Sequence, residues 1–361
     1  FIVEQKLLTV GISIGDLNGI GVEIILKAFD DRRMFERCIP IIYGAEAVVN
    51  KHSELIKINI PTKKITTPEE AEAGVLNVID CWNDTVNIKL GKEDKTLGKY
   101  AFFALEAVAK DALENKIDAI VTAPVSKELI NTDSHKFVGQ TEFFTTAANI
   151  SESLMLMASE GLKVGLVTNH LPVAEVAEAI SVNKIVRKLL VLNKGLITSF
   201  NIQKPRIAVL SLNPHAGDGG VIGNEENDIL IPAIAAAKGE GVMAVGPFAA
   251  DAFFGTGNYQ KYDAVLAMFH DQGLIPFKAL TFGSGTNVTL GLPFVRTSPD
   301  HGPAFDIAGA NKADASSFRE AIYTAVDIAQ NRSVHTEIHK NPIKRMSFDD
   351  LKKMQKEDYR R

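Results

Sequence analysis

Three apolar segments that each end in a histidine set the tightest restriction on how this chain folds. Lys163–His170 reads KVGLVTNH, Arg206–His215 reads RIAVLSLNPH and Asp263–His270 reads DAVLAMFH. Each is a short, nearly continuous aliphatic run, the pattern of a strand buried on both faces, and such strands belong to parallel sheets covered by helices. One imidazole at a strand end is most simply a hydrogen-bonded structural group. Three of the chain's eight histidines at the same end of three strands are not what scattering would favour. With the strands as parallel neighbours, or brought together by a subunit contact, His170, His215 and His270 converge on one divalent metal, with open positions suited to catalysis. Asp251 and Asp271 are then carboxylates placed either to orient the imidazoles or to cap their own loops.

The rest of the chain alternates in the same way. Strands are expected at Leu7–Ile14, Pro40–Gly44, Val75–Ile79, Val86–Ile88 and Asp118–Thr122. Helices are expected near Ala45–His52 and over Leu97–Asn115, Leu171–Ala179, Val182–Phe200, Glu225–Ala237 and Phe318–Asn331, where apolar residues recur at helical spacing. Strand, loop and helix in turn imply an α/β fold with a mostly parallel sheet. The first strand runs into Gly15-Asp16-Leu17-Asn18-Gly19-Ile20-Gly21, a turn able either to cradle phosphate with backbone N–H groups or merely to turn tightly. Ile24 stands where a GxGxxG fingerprint needs its third glycine, so a Rossmann site is not indicated. Ser126 and Lys127 follow a buried strand and read either as site residues or as a helix cap with a surface lysine. The region 57–95 reads as an insertion or edge hairpin, and Ser347–Arg361 as an exposed or interface helix.

The segment from His270 to Ala310 carries the densest chemistry. Lys278, Asn287 and Arg296 stand in a stretch otherwise poor in charge, among Gly and Thr residues that let a backbone approach a ligand, which suits an anionic group. Asp300–Gly309, reading DHGPAFDIAG, is too punctuated by Gly and Pro for a helix and too polar for a core strand, so a shaped binding loop is expected.

Composition removes several classes of function. A formal charge of −5 gives no basic field for nucleic acid. The 361 residues, 46% hydrophobic, are enough for two domains. The longest uncharged run, between Lys278 and Arg296, holds too much Gly, Ser, Thr and Asn for a membrane helix. Cys38 and Cys81 are far apart and outside any CxxC pattern, which fits a reducing compartment. Charge interrupts Phe1–Lys6 before an export-signal core forms, so a soluble cytoplasmic protein is expected.

Taken in order, the motifs resemble the 4-hydroxythreonine-4-phosphate dehydrogenase family of vitamin B6 biosynthesis. The matching words are TAPVSK at Thr122–Lys127, TNHLPV at Thr168–Val173, LNPHAG at Leu212–Gly217, FHDQG at Phe269–Gly273, NVTLGLP at Asn287–Pro293 and RTSPDHG at Arg296–Gly302. The resemblance implies two α/β/α domains around a cleft, like isocitrate and isopropylmalate dehydrogenases and unlike a Rossmann fold. Residues 1–125 with 281–361 would carry the dinucleotide loop, and 126–280 the histidines and dimer contacts. It further implies NAD or NADP held by His301, Gly302 and Asp306, and one divalent metal per site (Zn, Co or Mg) on His170, His215 and His270. The phosphorylated substrate would meet Thr141, Lys278, Asn287 and Arg296, and the site would lie at the interface of a homodimer.

One position departs from that pattern. The family usually has His-Thr where this chain has Gln140-Thr141. Glutamine still exchanges hydrogen bonds but carries no proton near neutral pH, so Gln140 is expected as a substrate contact without an acid/base role. Oxidation of erythronate or threonate 4-phosphate is the near alternative. A metal hydrolase using a histidine-bound hydroxide leaves the His301–Gly309 loop without a purpose, and a phosphate acetyltransferase-like enzyme has no use for three metal-binding histidines.

Overall fold

The computed structural model describes residues 7–131, 137–281 and 283–341. The expectations for Phe1–Lys6 and Ser347–Arg361 lie outside the described residues. The strands are β1 Leu8–Ser13, β2 Cys38–Gly44, β3 Thr62–Ile65, β4 Leu76–Asp80, β5 Ala119–Thr122 and β6 Leu154–Ala158. They continue with β7 Lys163–Leu166, β8 Arg206–Leu210, β9 Met243–Phe248, β10 Ala264–Ala267, β11 Thr286–Leu290 and β12 Val295–Pro299. All join one twelve-stranded sheet in the order β3-β4-β2-β1-β5-β12-β11-β6-β7-β10-β8-β9.

Two parallel blocks make up this sheet, β3 to β12 on one side and β7 to β9 on the other. Between them β11 pairs antiparallel with β12 and β6, and β6 antiparallel with β7, so the two blocks run in opposite senses. The mostly parallel α/β sheet is therefore as expected, with an antiparallel seam at its centre.

Period-two alternation divides the side chains between two cores. In β6, Leu154, Leu156 and Ala158 enter the larger core while Met155 and Met157 enter the smaller; in β10, Ala264 and Leu266 separate likewise from Val265 and Ala267. Helix Ser316–His339 covers β12, β5 and β1 on the larger core's face, and helix Val182–Phe200 packs beside it. Helix His270–Thr281 lies over β7 and β10 on the smaller core's face. Among the described residues no helix is long and apolar enough to cross a membrane.

Several boundaries differ from the sequence expectation for identifiable reasons. Val86–Ile88 forms no strand and belongs to the loop after β4. The expected helix Glu225–Ala237 opens with a π-turn at Glu226–Leu230 before the α-helix Ile231–Gly239, because Pro232 has no N–H to donate to an i−4 carbonyl. The stretch between Lys278 and Arg296, for which no element was expected, holds the end of a helix and strand β11. Cys38 and Cys81 are free, and burial pushes both thiols up to about 12, so neither is a thiolate at neutral pH.

Candidate active site

A cleft of about 320 Å³ lies over the antiparallel seam. Alternation along the strands puts Met155, Asn287, Arg296 and Ser298 into it, while Thr297 points to the opposite face and donates to the Ala321 carbonyl at 2.7 Å. Helices complete the walls with Lys127, Gln140, Thr141, Glu142 and Lys278, and loops with His170, Asp300, His301 and Gly302. Lys127 agrees with both of its readings: it stands in the cleft wall, and it is an exposed lysine opening the helix Lys127–Ile130 behind Ser126.

Arg296 is 2% exposed. Its Nη1 donates to Thr289 Oγ1 at 3.1 Å, and its Nη2 to Thr122 Oγ1 at 2.7 Å and to Gln140 Oε1. Burial pushes its pKa down to about 9, which leaves it charged at neutral pH. Lys278 is exposed and pairs with Asp300 at 3.1 Å. Side-chain atoms buried without a hydrogen-bond partner include Asn287 Oδ1, Arg296 Nε, Glu142 Oε2, Asn169 Oδ1 and His301 Nε2, all on residues at or beside the cleft. Buried polar atoms are normally satisfied, so their concentration here marks a place shaped for a polar ligand.

Strands β7, β10 and β8 are adjacent and parallel, so the segments carrying His170, His270 and His215 leave the sheet at the same edge. The ends of β7 and β10 are pinned together: Thr168 Oγ1 donates to the Met268 carbonyl at 2.7 Å, and the Val167 N–H to the Ala267 carbonyl at 2.9 Å. The His170 and His270 rings consequently stand 6.0 Å apart between centroids. Two imidazoles on one divalent ion sit about 5–6 Å apart when metal–nitrogen bonds are about 2.0–2.1 Å, so this pair fits a metal. His270 Nδ1 is 2.7 Å from Asp271 Oδ1; an Nδ1–H donated to that carboxylate leaves the Nε2 lone pair available to a metal, a geometry that agrees with an orienting Asp271.

His215 stands apart. It is exposed and begins a run of left-handed backbone, with φ of 52° at His215, 51° at Ala216 and 45° at Asp218. Backbone of this kind is costly for side-chain-bearing residues and persists where neighbours over-determine it. Glu226 anchors the segment that leads into this run, accepting from the Leu212 and Asn213 N–H groups at 2.8 Å each. Among the described residues no three His, Cys, Asp or Glu side chains gather closely enough to hold an ion. Asp251 is exposed in the first turn of helix Ala250–Gly255 and bonds to none of the histidines.

Sequence reading passed over two residues that position these groups. Gln272 accepts from the Met268 N–H at 2.7 Å and donates to the Ser211 carbonyl, tying the end of β10 to that of β8. Glu142 lies 3.9 Å from His170 Nδ1, and His170 holds its carboxyl below the usual range. Gln272 stood in the sequence only as one letter of the FHDQG word, and the only signal for Glu142 was its place beside Thr141.

The loop after β12 is shaped as expected, with Ala304 at φ 42° and Gly309 at φ 79°. His301 and Gly302 face the cleft, and Asp306 is exposed further along. Gly302 has open space where a Cβ would stand, and His301 Nε2 has no partner, both of which suit a dinucleotide. The Gly15–Gly21 turn proves to be a packing element. A Cβ on Gly15 would stand 2.6 Å from the Pro124 carbonyl oxygen, and one on Gly19 would stand 2.9 Å from that of Pro303. The glycines are there so that this turn can brace the two segments that wall the cleft.

Asp16 in that turn is buried and accepts from the Ser126 N–H. Burial raises its carboxyl to about 6, against the opposing Ser126 bond. A folded-state value above the unfolded one means the ionised form is disfavoured on folding, so stability should fall as pH rises from about 4 to about 6 and stay lower above. Denaturant unfolding of Asp16→Asn should lack this step, worth about 3 kcal/mol for two pKa units. Parallel pH profiles for the two proteins would refute it.

An open α/β sheet with a polar cleft at its seam defines an enzyme of the α/β class, and its relatives make it a dehydrogenase. A family model described as "Pyridoxal phosphate biosynthetic protein PdxA" matches residues 36–325, and the chain belongs to that family. A 4-hydroxythreonine-4-phosphate dehydrogenase of Bacteroides thetaiotaomicron is 44% identical over 96% of this chain and 96% of its own. The crystal structure of the enzyme of that name from Klebsiella pneumoniae is 33% identical, superposes with a TM-score of 0.80, and is matched over 91% of this chain and 99% of its own. A terephthalate 1,2-cis-dihydrodiol dehydrogenase of Burkholderia xenovorans shares the fold at 24% identity and TM-score 0.61, over 89% of this chain and 98% of its own.

Proposed function

We propose that the cleft oxidises 4-phosphooxy-L-threonine at its carbinol carbon, with NAD⁺ or NADP⁺ accepting the hydride. The product, 2-amino-3-oxo-4-phosphooxybutanoate, is a β-keto acid that loses CO₂ to give 3-amino-2-oxopropyl phosphate for pyridoxal 5′-phosphate biosynthesis in the cytoplasm. The observation that carries this reading is the placing of buried Arg296 in one cleft with Lys278, His170 and the His301–Gly302 loop. Arg296 and Lys278 bind the substrate's phosphate and carboxylate, while Thr141 and Asn287 fix the rest of it. His301, Gly302 and Asp306 hold the dinucleotide. His170 and His270, with His215 of a second subunit, hold a divalent metal, and Asp271 keeps the His270 ring in place. When bound, such a metal supplies Lewis acidity toward the carbinol oxygen and later toward the ketone.

Purified protein given 4-phosphooxy-L-threonine, NAD⁺ and a divalent metal should show absorbance growing at the reduced-nicotinamide band, abolished by chelation. Turnover only of erythronate or threonate 4-phosphate would keep the chemistry and change the substrate. Absence of reduction with all three, and with NADP⁺ as well, would overturn the proposal.

A further inference from the structure

Arg296 lies against the cleft without an ion-pair partner among the described residues, and the only carboxylate whose field reaches it is that of Glu142, in the same cleft wall. It is almost wholly buried, yet the atoms that hold it are three neutral oxygens, on Thr289, Thr122 and Gln140. No carboxylate forms an ion pair with it among the described residues, and Lys278, by contrast, is paired with Asp300. A buried cation is usually neutralised by a carboxylate partner, because an unpaired charge out of water is costly.

Gln140 stands where such a carboxylate would be. Its amide is fixed at both ends, with Oε1 accepting from Arg296 and Nε2 donating to the Ala123 carbonyl at 3.1 Å. The carbonyl end therefore faces the guanidinium. A glutamate has the same shape and the same acceptor, and would place a negative charge in direct contact with the guanidinium. We propose that Gln140 is a positioning residue that orients Arg296 while leaving its charge free for an anionic group of the substrate, phosphate or carboxylate. This rests on reading the cleft as the site of a phosphorylated hydroxy acid, and it reassigns Gln140 from substrate contact to support of the residue that makes the contact.

Two nearly isosteric replacements separate this role from packing. Gln140→Met keeps the volume and loses the acceptor; Gln140→Glu keeps both volume and acceptor and adds charge. Binding of inorganic phosphate and of L-threonine, each titrated calorimetrically into the dinucleotide-free protein, needs no turnover and so stands apart from the identity of the substrate. For whichever probe the wild type binds, Gln140→Met should weaken affinity roughly tenfold and Gln140→Glu roughly tenfold more. A purely structural glutamine gives the reverse order, and affinity of the Glu variant equal to or above that of the Met variant overturns the proposal. Binding of neither probe by the wild type overturns it as well. Thr289→Val against Thr289→Asp repeats the comparison from the other side of the guanidinium should the glutamate variant not fold. If anion binding follows the expected order but 4-phosphooxy-L-threonine is not oxidised, the substrate assignment fails and the role of Gln140 stands.

Discussion

Replacing Arg296 by Met should lower kcat/KM for 4-phosphooxy-L-threonine by about 10²- to 10³-fold without lowering thermal stability. The loss follows from deleting a desolvated cation whose hydrogen bonds to an anionic group are worth most where water is excluded. Stability should hold because folding already bears the cost of burying a guanidinium that is hydrogen-bonded only to neutral oxygens, and an apolar chain of similar length removes that cost. Arg296→Lys should rescue poorly, since a single ammonium cannot reach Thr289 and Thr122 on its two sides and still present a planar fork. Steady-state kinetics at the reduced-nicotinamide band and a thermal melt of the same samples test both halves. A variant that keeps kcat/KM within tenfold, or that unfolds well before the wild type, would remove Arg296 from the centre of the site.

The sequence displayed the strand-borne chemistry more clearly than the geometry that gathers it. The histidine-ended runs were legible because β7, β8 and β10 are continuous apolar strands, and they are neighbours in the sheet. The antiparallel seam was not legible. β6 reads LMLMA, and Leu and Met favour a helix as readily as a strand. β11 and β12 carry Asn287, Thr289 and Arg296 on the side of the cleft, so their polar side chains gave no apolar strand pattern and pointed only to a bound anion. The Gly15–Gly21 turn offered two readings by composition, and only the nearness of Pro124 and Pro303 separates them. Gln140 shows the same limit: its identity was plain in the chain, while its bond to Arg296, 156 positions away, needed the fold.

A mixture of inactive subunits should recover activity if two protomers share the metal site. His170 and His270 are neighbours within one chain, whereas His215 is exposed on a strained turn and, among the described residues, no third ligand joins the pair. On the proposed reading the third imidazole would come from a partner, across the symmetric contact of a dimer. His170→Ala, His215→Ala and His270→Ala should each lose most activity and bound metal as homodimers. In a purified heterodimer of His215→Ala with His170→Ala, one site combines His170 and His270 of the first subunit with His215 of the second, and is intact. That heterodimer should show about half the wild-type rate and half its metal, as should His215→Ala with His270→Ala. The heterodimer of His170→Ala with His270→Ala should stay inactive, because those two residues serve the same site from the same chain. Inactivity of all three pairs would mean that a single chain supplies every ligand, and that the His215 turn must move to join the other two.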